Sequence, residues 1–193
     1  MSLLDIVANV CAQVNVPVPT SVINNTDQNV VQMLRLLNNE GRWLMRYHDW
    51  RVLRKESSFT TVALNQQIAD MTSFTDSASA SVTDWDRFVA GTMFNRTSVQ
   101  RIQPTTELQY QRDRASTLTG IYPRFLLRGK VLLFTPAPTA SQTVYFEYIS
   151  KNWAATSGGT GKTSFTIDTD VGVLDEELLQ AALAWRFLKA SGL

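Results

Sequence analysis

The chain has 193 residues, 44% hydrophobic and 18% charged, with a formal net charge of +1. That composition is globular, sufficient for one domain or two small ones, and a chain of this size buries roughly 70% of its unfolded surface without help from disulfides or metal. The balanced charge gives no global case for a nucleic-acid or membrane partner, the single Cys11 excludes an internal disulfide framework and a cysteine-rich metal site, and the single His48 weakens histidine-dependent metal and catalytic readings.

Residues 2–14 read as a short helix. Ser2 followed by Asp5 makes a capping-box-like start, and Leu3, Ile6, Val7 and Val10, with Val14 beyond them, recur at helical spacing. Pro17 and Pro19 end it, before a Pro/Ser/Thr/Asn-rich loop. Thr26 or Asp27 then caps a longer helix to about Tyr47, with Val30, Leu34, Leu37, Gly41 and Leu44 on one side and Met33 and Met45 beside them. Gly41 in mid-helix costs on the order of 1 kcal/mol against Ala and marks a close approach, expected from the C-terminal helix. Trp43, Tyr47 and Trp50 cluster at the helix end, as a core or a subunit seam.

From about Arg51 the period changes. RVLRKESSFTTVAL reads as a strand, residues 70–83 as a low-complexity polar loop, GTMFNRTSVQRIQ as one strand or two, and PTTELQYQRDRAS as a short helix with Thr105 or Thr106 near its cap. RFLLRGKVLLFTP is a hairpin signal with its turn at Arg128-Gly129-Lys130, and QTVYFEYIS alternates at Val144, Phe146 and Tyr148. A loop over residues 154–163 precedes a final strand, SFTIDT.

The chain closes on LDEELLQAALAWRFLKASGL, which reads as one helix. Asp175 caps it, and Glu176 and Glu177 place negative charge in its first turn, where the helix dipole favours it. Leu178, Ala181, Ala182, Trp185 and Leu188 make one apolar stripe, Lys189 sits in the last turn, and Gly192 ends the helix. The expected partner of that stripe is the helical N-terminal quarter. The fold class is therefore α+β: a helical bundle of residues 1–50 with 174–193, interrupted by an inserted, mostly antiparallel β-rich domain over 51–173. No apolar run approaches the roughly 18 residues of a membrane-spanning helix, and the opening MSLLDIVANVCAQ, with an acid and no base, is unlike a secretory signal.

Several motifs invite chemistry. Gly-Gly-Thr-Gly-Lys-Thr at 158–163 suggests a phosphate loop. However, the first glycine position is Thr156 and residues 164–167 are strand-like, so no helix N-terminus is expected to cradle a phosphate. Asp168, Asp170, Asp175, Glu176 and Glu177 form an acidic run that could serve as an acid/base pair or a cation site, or as helix cap and partner-facing surface. Arg42, Arg46, Arg51, Arg54 and Lys55 form a basic run, and Arg96, Arg101, Arg112, Arg114, Arg124, Arg128 and Lys130 a second basic region; subunit contacts, a solvated face and nucleic acid are the alternatives. Asn95-Arg96-Thr97 fits a glycosylation sequon without any sign of secretion, and His48-Asp49 lacks a nucleophile elbow to complete a triad. No catalytic, metal or cofactor-binding residue is assigned.

The order of these elements, with several short stretches, resembles the head–tail adaptor (connector) proteins of tailed phages, of the tail accessory and tail-tubular-A type. The stretches are Trp50-Arg51; Asp84-Trp85-Asp86-Arg87-Phe88; Tyr122-Pro123-Arg124-Phe125 leading into LRGKVLLFTPAP; Val144-Tyr145-Phe146-Glu147-Tyr148; and Leu174-Asp175-Glu176-Glu177 with Trp185-Arg186-Phe187-Leu188-Lys189-Ala190-Ser191-Gly192-Leu193. The resemblance implies a non-enzymatic virion protein at the head–tail junction, assembled in the host cytoplasm. It implies a ring of about twelve copies below the portal, which extends the DNA channel and offers a docking platform to tail, nozzle or fibre proteins. DNA would pass without sequence-specific contact, and no membrane is involved. The subunit- and portal-interface candidates are Trp43, Trp50, Arg51, Arg54, Asp175, Glu176, Glu177, Trp185 and Arg186, and the channel or interface cations are Arg112, Arg114, Arg128 and Lys130. Two alternatives are a tail-associated cell-wall hydrolase acting through paired carboxylates and a β-rich receptor-binding tail module.

Overall fold

The computed structural model describes residues 1–116 and 123–192. Tyr122 and Leu193, in two of the stretches that carry the resemblance, lie outside the described residues. In chain order, α1 (Leu3–Gln13) and α2 (Gln28–Tyr47) precede a 3-10 turn (Arg51–Leu53). Then come β1 (Arg54–Thr60), β2 (Gln66–Ile68), β3 (Phe74–Thr75), β4 (Ser81–Val82), β5 (Trp85–Phe88), β6 (Phe94–Asn95), β7 (Gln100–Arg101), β8 (Gln103–Pro104) and α3 (Glu107–Ala115). After them lie β9 (Arg124–Arg128), β10 (Val131–Thr135), β11 (Thr143–Ser150), β12 (Ala154–Ala155), β13 (Gly161–Lys162), β14 (Val171–Gly172) and α4 (Glu176–Ala190). The class is α+β, with helices from both ends of the chain; the described strand pairs are antiparallel except β8 with β9.

Two compact units result: Met1–Leu53 with the chain from Lys151 on, and Arg54–Ser150. Residues 151–173, expected in the β-rich insert, thus belong with the helices. The physical reason is a set of backbone and packing ties within that unit. β12 pairs with both β13 and β14, Ser2 bridges to Val171, and Leu3 N–H donates to the Asp170 carbonyl at 2.7 Å.

In the helical unit, Ser2 and Asp5 form the capping box and Asp27 caps α2 by accepting from Asn29 N–H at 2.8 Å. Leu3, Ile6, Val7, Val10 and Cys11 of α1 are fully buried, as are Val30, Met33 and Leu37 of α2. From α4 the buried residues are Leu179, Leu183 and Phe187. The stripe expected to be buried, Leu178, Ala181, Ala182, Trp185 and Leu188, lies on the other side of the helix, with Ala181 and Trp185 exposed. Helix α4 is apolar on two faces, and its own unit uses the one at 179–183–187. Gly41 meets the indole of Trp153 rather than the C-terminal helix: a Cβ there would lie 2.4 Å from two ring carbons. Trp153 is fully buried, donates through Nε1 to the Thr163 carbonyl at 2.8 Å, and stands edge-on to Phe165 at 5.0 Å.

In the β unit, β11 is the central strand. It pairs along its length with β1 on one edge, and with β6 and then β5 on the other. A second sheet has the order β2-β10-β9-β8. Alternation on β11 turns Val144, Phe146 and Tyr148 inward, where they meet Leu132 and Phe134 of β10 in one core with Phe59, Met71, Trp85 and Ile102. The β9–β10 turn falls where expected, with Gly129 at φ +61° and Arg128 opposite Val131. Thr106 caps α3. The polar stretch at 70–83 is not all loop, because β3 and β4 pair within it.

Candidate functional site

The feature that stands out chemically is a surface ladder built by α2 and α4. Trp43 and Tyr47, one turn apart on α2, stack with ring centroids 4.7 Å apart. The Arg186 guanidinium lies 5.9 Å from the centre of the Trp43 ring and 4.8 Å from that of Trp185. Lys189 stands 4.9 Å from the Trp185 ring. A stacked aromatic pair, Tyr47 and Trp43, therefore leads into an alternation of cation and aromatic through Arg186 and Trp185 to Lys189. Such contacts are worth about 0.5–1 kcal/mol each at exposed sites. Tyr47 is 71% exposed, Trp43 48% and Trp185 53%, so the rings stay largely in water.

Glu40 fixes the ladder. It is buried, and its Oε2 accepts from Arg186 Nε at 2.5 Å. A shallow cleft of about 320 Å³ beside this pair is lined by Leu36, Asn39, Glu40, Trp43 and Arg186. Glu40 was not singled out from sequence, yet a carboxylate flanked by Leu37, Gly41 and Leu44 on the buried side of α2 requires a cationic partner, and that is a readable signal.

The other interface candidates are scattered. Trp50 is half-buried, its Nε1 donating to the Leu44 carbonyl at 2.7 Å and its ring meeting His48 edge-on at 5.1 Å. Arg51 is exposed in the 3-10 turn, and Arg54, in the β unit, faces Glu147 at 3.8 Å. Asp175 is the α4 cap, accepting from Leu178 N–H at 3.0 Å, Glu176 pairs with the Met1 amino group, and Glu177 is exposed. Of the nine candidates the structure gathers three: Trp43, Trp185 and Arg186. Of the four channel candidates, Arg112 is exposed on α3, Arg114 donates to Asn65, Arg128 lies 5.6 Å from the Tyr110 ring centre, and Lys130 is 3.8 Å from Asp70.

The motifs that suggested chemistry have structural roles. Residues 161–162 of the glycine-rich stretch form β13, and Lys162 Nζ donates to both carboxylate oxygens of Asp170, at 2.6 and 2.9 Å. Asp170 also accepts from Thr166 and Ile167 N–H, which curls residues 164–169 into turns where a strand was expected. Burial pushes the Asp170 carboxyl up, but Lys162 and the two N–H groups outweigh it and hold its pKa below the usual carboxylate value. Asp168 Oδ1 accepts from Val22 and Ile23 N–H at 3.1 and 2.8 Å. Asn95 of the sequon is buried, with Nδ2 donating to Gln142 and Oδ1 accepting from Thr97 and Ser98.

A third buried carboxylate organises the β unit. Asp84 accepts from Lys55 Nζ at 2.7 Å, Ser150 Oγ at 2.7 Å and Tyr148 OH at 2.8 Å. Burial raises its pKa, the three donors together lower it by more, and the net position is below the ordinary value. Burial and the Asp84 carboxylate both push the Tyr148 phenol upward. Lys55 neutralises the Asp84 charge, and a phenol whose proton is held this firmly is poorly placed for transfer at neutral pH. Among the described residues, no three His, Cys, Asp or Glu side chains gather closely enough to hold a metal, and no helix is long and apolar enough to cross a membrane. No family model matches the chain, and no curated protein matches it.

Proposed function

We propose that this chain is a structural head–tail adaptor subunit of a tailed-phage particle, forming a ring of about twelve copies below the portal. The ring extends the DNA channel and gives tail proteins a surface to dock on. The observation that carries this reading is the exposed ladder of Tyr47, Trp43, Arg186, Trp185 and Lys189, assembled by helices from opposite ends of the chain. Trp, Tyr and Arg are the residues in which interface hot spots are richest. Apolar surface left in water forgoes roughly 25 cal/mol for each Å² that a partner would cover. The contacts within the ladder stabilise a monomer only modestly; a subunit of an assembly gains further by covering three such rings on one face.

Two further features support assembly over hydrolysis. Four of the five carboxylates considered for acid/base work have local tasks, Asp175 as a cap, Glu176 at the Met1 amino group, Asp170 with Lys162 and Asp168 at the Val22 and Ile23 N–H groups, and Glu177 is exposed. The sequence stretches similar to adaptors direct the assembly toward copies of the chain and a portal. Arg112, Arg114, Arg128 and Lys130 serve the channel or the contacts between copies, through charge and without base readout. Deletion of the gene from the phage that encodes the chain tests the reading. DNA-filled heads without tails are expected, with tails restored by adding purified protein. Complete, tailed particles lacking the chain would overturn it.

A further inference from the structure

Helix α4 carries more apolar surface than its own unit uses. Leu179, Leu183 and Phe187 point inward and are buried. On the other side Leu178, Ala181, Trp185 and Leu188 keep the alternating three- and four-residue spacing of a seam between two packed helices. Ala181 and Trp185 are exposed, and the two leucines are half-buried. A surface helix with one partner normally shows polar residues there.

This second stripe is complementary to itself when two copies run antiparallel. Setting the level of Leu183 in one helix against the same level in the other places Leu178 opposite Leu188 and small Ala181 opposite large Trp185, each pairing occurring twice. The ends match as well. The first turn carries Glu176 and Glu177 after the Asp175 cap, and the last turn carries Lys189. Antiparallel pairing lays each basic last turn over the other copy's acidic first turn and opposes the two helix dipoles. Parallel pairing would set Trp185 on Trp185 and acid beside acid. Glu176 is taken by the Met1 amino group, Asp175 by the Leu178 N–H and Arg186 by Glu40, which leaves Glu177 to face Lys189.

We propose that the outward face of α4 is a seam for a second copy of this chain, docked antiparallel about a two-fold axis on Leu178, Ala181, Trp185 and Leu188. The seam does not rest on the adaptor reading. A two-fold contact closes on itself, so it yields a dimer of the free chain and does not by itself build a ring. Two helices of 15 residues cover less area than a standard stable interface, so the pairing is weak and concentration-dependent.

Sedimentation equilibrium of the full chain from about 1 µM to about 500 µM reads this directly. The mass is expected to rise from 21.7 kDa toward twice that value. Ala181→Glu, at an exposed position, leaves the circular dichroism unchanged and weakens pairing at least about tenfold. Geometry is read by cysteine pairing, which needs Cα atoms within about 7 Å. An equal mixture of Leu178→Cys and Leu188→Cys chains forms a disulfide-linked dimer on mild oxidation, whereas either variant alone does not. The native Cys11 is buried and does not compete. A chain that is monomeric over the whole range, a dimer indifferent to Ala181→Glu, a disulfide-linked dimer in either single variant, or none in the mixture would each overturn the proposal. None of these outcomes bears on portal binding, and a dimer that ignores the portal contradicts the adaptor reading alone.

Discussion

Arg186 reaches from α4 to α2 and donates through Nε to the buried carboxylate of Glu40 at 2.5 Å. The same guanidinium lies between the rings of Trp43 and Trp185, so one side chain both neutralises a buried charge and holds the exposed aromatics in place. Removing one partner of a buried pair strands the other. Arg186→Ala is therefore expected to destabilise the protein by about 3 kcal/mol, read by urea unfolding. Arg186→Lys keeps the charge but loses the planar fork, and is expected to recover only part of the loss. Equal stability of Arg186→Ala and the parent would show that the pair is solvated.

Gly41 lies against Trp153, and the helix cannot take a side chain there unless the ring moves. Alanine raises intrinsic helix propensity by roughly 1 kcal/mol, but overpacking costs typically about 1–3 kcal/mol. Gly41→Ala is expected to lower stability on balance. In a Trp153→Leu background the same change is expected to become neutral or stabilising, and a double-mutant cycle measures that coupling. A Gly41→Ala protein more stable than the parent would contradict the close approach.

Trp185 is half in water, so its removal separates folding from association. Trp185→Ala is expected to change unfolding stability by about 1 kcal/mol or less. Its larger effect falls on self-association, visible as a loss of mass in sedimentation at high concentration. A severe folding defect would mean that this side of α4 is core after all.

Asp170 and Asp84 set the acid limit. Both carboxyls have pKa values below the ordinary value of about 3.9 in the folded state. The unfolded chain therefore binds protons first, so the stability these groups contribute is present above that value and lost as pH falls through the folded pKa values. The melting temperature is expected to be flat from about pH 5 to neutral pH and to fall steeply below it. Asp170→Asn starts about 3 kcal/mol less stable and loses less on acidification, as calorimetry across the acid range would show.

Tyr148 sets the alkaline limit with the opposite sign. Its phenol is pushed up by burial and by Asp84, so its neutral form is favoured in the folded protein. The stability it contributes is complete below the ordinary tyrosine pKa of about 10 and is lost as pH rises beyond it. Tyr148→Phe is expected to remove that share of the alkaline decline while leaving Asp84 with Lys55 and Ser150. An unchanged alkaline limb in Tyr148→Phe would place the sensitivity elsewhere.

Local chemistry was legible and long-range choice was not. Ser2 with Asp5 and Asp175 cap their helices where their sequence positions indicate, and of the paired candidates Thr26 or Asp27 and Thr105 or Thr106 the caps are Asp27 and Thr106. Those signals need only the next few residues. Helix α4 misled because it is apolar on both sides, so spacing alone supports two stripes, and only packing against α1 and α2 selects Leu179, Leu183 and Phe187. The alternation of Ser164 to Thr169 looked like a strand, but the buried Asp170 needs donors more than the segment needs a ladder, and it takes the N–H groups of Thr166 and Ile167. Within the candidate site, the Trp43–Tyr47 pair and the Trp185–Lys189 turn could each be read from one helix. Their union through Glu40 and Arg186 could not, since it joins residues from opposite ends of the chain.

A subunit that works by assembling beneath a portal must bind that ring in a fixed number of copies. The most direct test is the mass of the complex formed when purified chain is added to isolated portal rings of the same particle, measured by native mass spectrometry. One discrete complex carrying about twelve copies of the chain per portal ring is expected. Portal rings that keep their own mass while the chain stays free would contradict it.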